Sequence, residues 1–491
     1  MLVLLGTVVR FAFGYEKELW RCAPDQIAWG LNLDLAFRDG GLAYHELIHY
    51  PHEGGSVILS LLAMLMRPLE GGLPPLSWAA LVADALSRYV QISVAERVFN
   101  RVTAIWFAVW TVLAVPLLLP WGTVDFGLHA LVAFVPFVFI RQAMEPHRAA
   151  WKLGVLAGLG GCLAYDCLIV VPAYLVWSFL GERDRKSRLL RSAGFLAGCV
   201  LGLLPHLALR IFPDNAFGLE NMPALGVRGL EQEPLGLLSA LPKLATVWTT
   251  TLPASFMLSS VDVLSPRMIA SVVSVFLGLG LLGAVLRRRE EAKAEWLIAM
   301  TVLMFTVAYA AGPLFFDRVD SKSYLPYRHF AFVLPLLVLI VISGLARLPR
   351  SAWLLGAWLA LCSTASLAYM ISIVPCPVRN DGAAGWVLAR KYGHDPERLM
   401  SLLEVATKEA REELLRGYGW GMTTTLFEHG RGKGDQSMDR MSGIWSRLPE
   451  SFRPGMLDGV RTAFTPGITP VLDKSIEPEL LRRLEGVSIR R

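Results

Sequence analysis

Apolar runs recur along the first 375 positions of the chain, separated by short polar stretches, and the pattern stops after Pro375. Crossing about 30 Å of hydrocarbon takes roughly 17 to 25 apolar residues in a helix. Runs that meet or approach this length lie at 1–14, 55–69, 76–94, 102–120, 124–141, 153–180, 192–212, 268–286, 296–314, 328–346 and 353–373. Helices are the open-chain way to satisfy backbone groups in lipid. The pattern therefore predicts an all-α polytopic transmembrane helix bundle of about eleven spans. The first two runs are short, which leaves open a longer N-terminus or helices that begin in the interface.

Composition agrees: 54% of residues are hydrophobic, 18% are charged, and the mean hydropathy is +0.47. This excludes an ordinary soluble domain, and nothing points to nucleic acid. Basic loops set orientation. The segments Gly181–Ser192, Arg287–Glu295 and Ala346–Ser351 hold most of the loop arginines, and alternate counting places all three on one side, the cytoplasmic one. The same counting puts outside the acidic loop 15–54, the long loop 213–267, the loop 315–327 and everything after Pro375. The expected location is an inner (plasma) membrane with the C-terminal domain on the outer, periplasmic side. Arg10 interrupts the first apolar run and no small-residue cleavage site follows, so the segment reads as a retained helix.

Residues 376–491 carry 18 Lys/Arg and 16 Asp/Glu, about twice the charge density of the membrane part. They form a separate soluble unit, mainly helical. Asp395-Pro396 is a helix-start signal, and apolar residues follow at near-helical spacing to Leu415. LLRGYGWGM at 414–422 and MLDGVRTAF at 456–464 echo one another, as in a helical repeat. The stretch His429–Ser437 lacks the spacing of a phosphate-binding loop and reads as a plain loop. Cys162, Cys167, Cys199 and Cys362 fall in spans as small apolar fillers. Cys22 and Cys376 both fall outside, where they could pair in an oxidising compartment.

The stretch Ala23–Gly41 places three aspartates at the outer mouth of the first span. Ile27, Ala28, Leu31, Leu35 and Ala36 sit at helical spacing, which predicts an amphipathic helix over 25–37 on the membrane surface. Asp34 and Asp39 read as solvated carboxylates. Asp25, at the mouth itself, is the better candidate for a carboxylate that takes a proton from an acceptor hydroxyl or amine. Inside the spans, Asp84 and Arg88 stand four apart on one helix face and read as a structural pair. Asp166 has no evident partner within its own span. It either meets a polar group of another helix or lines a cavity.

Asp25-Gln26-x-Ala28 with Leu35, followed by Tyr50-Pro51-His52 at the opening of the second span, resembles the GT-C type of membrane glycosyltransferase, in particular its family-39-like and aminoarabinose-transferase-like members. The glycine-rich Gly154–Tyr174 and the run Tyr324–Leu339 resemble that family's middle and late helices. The likeness is an overall pattern over about 375 residues. The chain departs from it twice: Gln26 stands where the family usually has Glu, and Tyr50-Pro51-His52 has one proline where the family has two followed by Leu. The resemblance implies transfer of a sugar from a polyprenyl-phosphate donor to an envelope glycan, lipid or protein on the outer face, with Asp25 as catalytic base and no cofactor. Arg318, Lys322 and Arg328 would hold the donor phosphate, and Tyr50, His52 and Asp166 would contribute to the substrate site.

Two other readings remain. His45-Glu46-Leu47-Ile48-His49 is a literal His-Glu-x-x-His, which on a helix binds zinc through His45 and His49 with Glu46 as base. Gly40-Gly41 before it and Pro51 after it leave little helix to present the pair. An outer-face zinc hydrolase, or a transferase using a divalent metal, would follow from it. The third reading is a non-enzymatic lipid or polysaccharide transporter, for which no internal repeat of the spans is visible.

Overall fold

The computed structural model describes residues 1–17, 55–69, 75–113, 118–119, 122, 132–145, 148–181, 184–211, 237–256, 273–279, 293–311 and 330–372, and in the C-terminal part 385, 389, 399–400, 403–404, 408–428, 434–464 and 476–489. Among these no strand occurs, and a helix falls within every predicted span. The elements of the first unit are α1 (Leu2–Glu16), α2 (Gly55–Met66), α3 (Pro75–Val98), α4 (Arg101–Leu113), α5 (Val135–Ala143), α6 (Ala150–Leu163), α7 (Val170–Gly181), α8 (Arg185–Ile211), α9 (Leu237–Thr246), α10 (Lys293–Ala311), α11 (Leu334–Leu345) and α12 (Ser351–Ser372). Among the described residues three stretches, Arg185–Pro205, Lys293–Ala311 and Ser351–Ile371, are long and apolar enough to cross a membrane, and shorter apolar helices accompany them. This is an integral membrane protein.

Three elements differ from the pattern-based expectation. The predicted span 153–180 is two helices joined by a 3-10 segment, Tyr165–Ile169, after Ala164 turns to an extended conformation. Gly160 and Gly161 precede the break and leave room for Cys167 and Leu168, which fold back against them. Helix α8 starts at Arg185, so most of a basic segment read as loop is its first turns. The stretch 237–255, read as part of a long outer loop, is α9 continued by a π-turn at Val247–Thr251 and a last turn at Leu252–Ser255. Its prolines and threonines hide the helix from pattern reading. Thr246 and Thr249 donate to the carbonyls of Pro242 and Ala245, which satisfies polar groups inside the helix.

Helices α6 and α8 make the closest pair of the first unit, and the cause lies in the sequence. Gly154 and Gly158 on one helix and Gly198 and Gly202 on the other, four apart in each, all lie against the partner helix's backbone, and Gly158 meets Gly202. A Cβ at Gly158 would collide with the Cys199 carbonyl, and one at Gly202 with that of Val155. Small residues at this spacing let backbones touch where lipid provides no hydrophobic drive between helices. The opposite face of α8 exposes Leu189, Leu190, Leu196, Val200, Leu201 and Leu204, as a lipid-facing surface requires.

The described residues in and beside the three basic segments are joined by contacts between them. Trp177 on α7 donates to the Lys293 carbonyl at 3.0 Å, and Arg347 pairs with the buried Glu295 at 2.7 Å. Arg188 stacks on Phe179 at 4.5 Å, closing the turn between α7 and α8. Asp184 caps α8 by accepting the Ser187 amide at 2.7 Å. Hydrogen bonds from the Ser187 hydroxyl and then from its amide hold the Asp184 carboxyl below the usual carboxylate range.

The second unit holds α13 (Lys408–Glu428), α14 (Gly434–Arg447), α15 (Arg453–Ala463) and α16 (Ile476–Ile489). The echoing segments 414–422 and 456–464 lie on α13 and α15, which pack together. Gly419 lies against the Met456 carbonyl and Gly459 against that of Arg416. The stretch read as a loop to Ser437 is helical from Gly434, because Met438, Met441 and Trp445 bury one face of α14. The Asp395-Pro396 start lies outside the described residues.

Two predictions follow from the packing. Gly158→Leu unfolds the α6/α8 pair, whereas Gly194→Ala, with open space around it, is neutral or stabilises by up to about 1 kcal/mol; thermal unfolding in detergent separates the two. The cap at Asp184 has a depressed pKa, so its stabilisation is present above the unfolded carboxylate pKa of about 3.9 and is lost as pH falls through the folded value. Hydrogen exchange at the Ser187 amide, corrected for intrinsic rate, loses protection on acidification in the wild type and lacks it at every pH in Asp184→Ala.

Candidate functional site

Arg10, six residues before the end of α1, is 1% exposed. A charge there needs a partner, because an isolated ion in a dry interior costs several kcal/mol. It finds one on α3, where the Asp84 carboxylate lies 3.2 Å from Arg10 Nε and 2.7 Å from Arg88 Nε. The pair expected between Asp84 and Arg88 is therefore a buried triad. Two guanidinium groups share one carboxylate and leave one positive charge.

Backbone and hydroxyl acceptors take up the remaining donors. Arg10 Nη1 donates to the carbonyls of Gly6 at 3.1 Å and Val112 at 3.0 Å. Val112 belongs to the last turn of α4, where carbonyls lack helical partners and the dipole favours a cation. Arg88 donates to the Val3 carbonyl at 2.9 Å and to Thr7 Oγ1 at 2.7 Å. The triad thus ties α1, α3 and α4 together. Glycines make the room: a Cβ at Gly6 would meet the Arg88 guanidinium, and one at Gly122 the Arg10 stem.

Beside the triad is a cavity of about 30 Å³, enough for one or two waters. Arg10, Asp84, Ser87, Arg88 and Gln91 supply its polar wall, and Trp110, Thr111, Leu118, Ala133, Ala331 and Pro335 complete it. The wall falls at helix ends. Thr111 is in the last turn of α4, Ala133 stands just ahead of α5, and Pro335 is in the first turn of α11. Sequence reading flagged Arg10 only as an interruption of an apolar run. The missed signal was that an arginine within a span demands a carboxylate, and Asp84 was the nearest intramembrane acid in sequence.

Of the residues expected to act on substrate, Asp166 is described. It lies in the first turn of the 3-10 segment, half-buried and engaged with a polar or charged neighbour. Asp25, Asp34, Asp39, His45, Glu46, His49, Tyr50, His52, Arg318, Lys322 and Arg328 lie outside the described residues, as do Cys22 and Cys376. Among the described residues no group of three metal-ligating side chains occurs. Cys162, Cys167, Cys199 and Cys362 form no disulfide, and the last three are buried.

No family model matches the chain, and no curated protein matches it. Two solved structures do: ArnT from Cupriavidus metallidurans in the apo state, with a TM-score of 0.47, and the same protein bound to undecaprenyl phosphate, with a TM-score of 0.45. Each match is 13% identical and covers 99% of this chain and 77% of the other. ArnT is a GT-C glycosyltransferase, an aminoarabinose transferase, the group the sequence resembles. At this identity and score the likeness assigns neither an activity nor a residue role.

The triad predicts an ordering of variants. Asp84→Asn leaves two buried guanidinium groups without a carboxylate and destabilises by about 3–5 kcal/mol. Arg10→Met leaves a neutral Asp84–Arg88 pair and costs less. Chemical unfolding of the two variants side by side tests the order.

Proposed function

We propose that this protein is an integral-membrane glycosyltransferase that moves a sugar from a polyprenyl-phosphate donor to an envelope glycan, lipid or protein on the outer face of a bacterial inner membrane. One observation carries the reading. The acid-bearing segment 23–41, whose pattern resembles the GT-C catalytic loop, follows directly on a helix that buried charge pairing fixes in the bundle. A base used in transfer must be held in place, and the helix that precedes this segment is itself pinned at Arg10.

Asp25 takes the proton from the acceptor hydroxyl or amine as that atom bonds to the anomeric carbon. The bond from that carbon to the phosphate oxygen breaks, and polyprenyl phosphate leaves with the electron pair. Arg318, Lys322 and Arg328 offset the charge of the leaving phosphate. Tyr50, His52 and Asp166 orient the sugar and acceptor. The reaction draws on no cofactor, and the C-terminal unit, on the outer side, selects the acceptor.

The literal His45-Glu46-x-x-His49 supports a second reading, zinc-dependent hydrolysis with Glu46 as base. One assay separates the two: transfer of labelled sugar from polyprenyl-phosphate donors in membranes carrying the wild type, Asp25→Asn or Glu46→Gln. A positioned base contributes about 10²- to 10⁴-fold, so Asp25→Asn loses at least a hundredfold while Glu46→Gln stays active. Stoichiometric zinc in a wild type that transfers from no donor would instead establish the hydrolase.

A further inference from the structure

Arg10, Asp84 and Arg88 are each more than nine-tenths buried and together carry one net positive charge. Asp84 is the carboxylate of the cavity wall. Arg10 Nε has no hydrogen-bond acceptor among the described residues, because its N–H is misdirected for Asp84 despite the 3.2 Å separation. A buried donor left this way costs about 1–3 kcal/mol unless something accepts from it.

The rest of the wall favours negative charge as well. Ser87 and Gln91, hydrogen-bonded to each other at 3.1 Å, face the cavity from one turn of α3 and the next. Two helices begin beside it. α5 has Phe134 at its N-cap and α11 has Val333; neither caps with its side chain, and each helix has a proline in its first turn, Pro136 and Pro335, which has no N–H. Helix starts carry a partial positive charge and point amides outward. Two arginines, an unfilled donor and two uncapped helix starts converge on one small volume.

We propose that this cavity binds a monatomic anion, a halide such as chloride, held by Arg10 and Ser87 in the positive field of the starts of α5 and α11. The single residual charge of the triad selects a monoanion, and the cavity, with room for one or two waters, admits an ion of that size. The ion neutralises the residual charge of the triad and completes the joint between α1, α3 and α4. The proposal rests on the cluster alone and is independent of the transferase reading.

The test uses the full-length protein in detergent, with sodium chloride, bromide or gluconate at matched ionic strength. The thermal midpoint rises with chloride and bromide concentration and not with gluconate, and Arg10→Met abolishes the difference. Crystals of the wild type grown in bromide show one anomalous peak within hydrogen-bond distance of Arg10, which requires no variant to fold. Equal stability in all three salts overturns the proposal, as does a halide response retained in Arg10→Met. A non-anomalous water at the cavity in bromide crystals also overturns it.

Discussion

The absence of water inside the bundle makes charge pairing obligatory, and the arrangement of α1, α3 and α4 depends on that constraint. Arg10 on α1 cannot be hydrated where it lies, so the helix must dock where Asp84 can reach it. Arg88 joins from the same face of α3 and reaches back to the first turns of α1. Each contact exchanges desolvation for a charge-assisted bond. The net positive charge left over makes the neighbouring cavity electrostatically special rather than merely a packing gap.

Close backbone approach is the second device, and it recurs in both units. In the membrane unit, glycines four apart on α6 and α8 bring two backbones into contact. In the C-terminal unit, Gly419 and Gly459 do the same for α13 and α15, although that unit is rich in charge. The purpose is shared: where a helix meets a backbone carbonyl, no side chain fits. Gly6 and Gly122 use the same absence of Cβ differently, making room for arginines rather than for a helix.

Charge outside the hydrocarbon is treated differently. Near helix ends Arg188 stacks on Phe179 and Arg347 pairs with Glu295, each keeping contact with solvent. Alternate counting of spans put these segments on one side, and the Trp177 and Glu295 contacts join residues in and beside them.

Hydrophobic runs alone determined the helical membrane class, the positions of the helices and the separate character of the C-terminal residues, because the thickness of hydrocarbon translates directly into run length. They also made Asp84 and Arg88 a pair, since four residues is one turn. They failed where a helix is locally polar or interrupted. The threonine-rich stretch 237–255 is a helix through side-chain bonds to its own carbonyls, and the break at Tyr165 divides an unbroken apolar run. Tertiary structure alone decided that Arg10 joins Asp84 across 74 positions and that helix ends converge beside them. No local pattern encodes which distant helix will supply a counter-charge; that choice is made only when the whole bundle packs and each buried ion must find one.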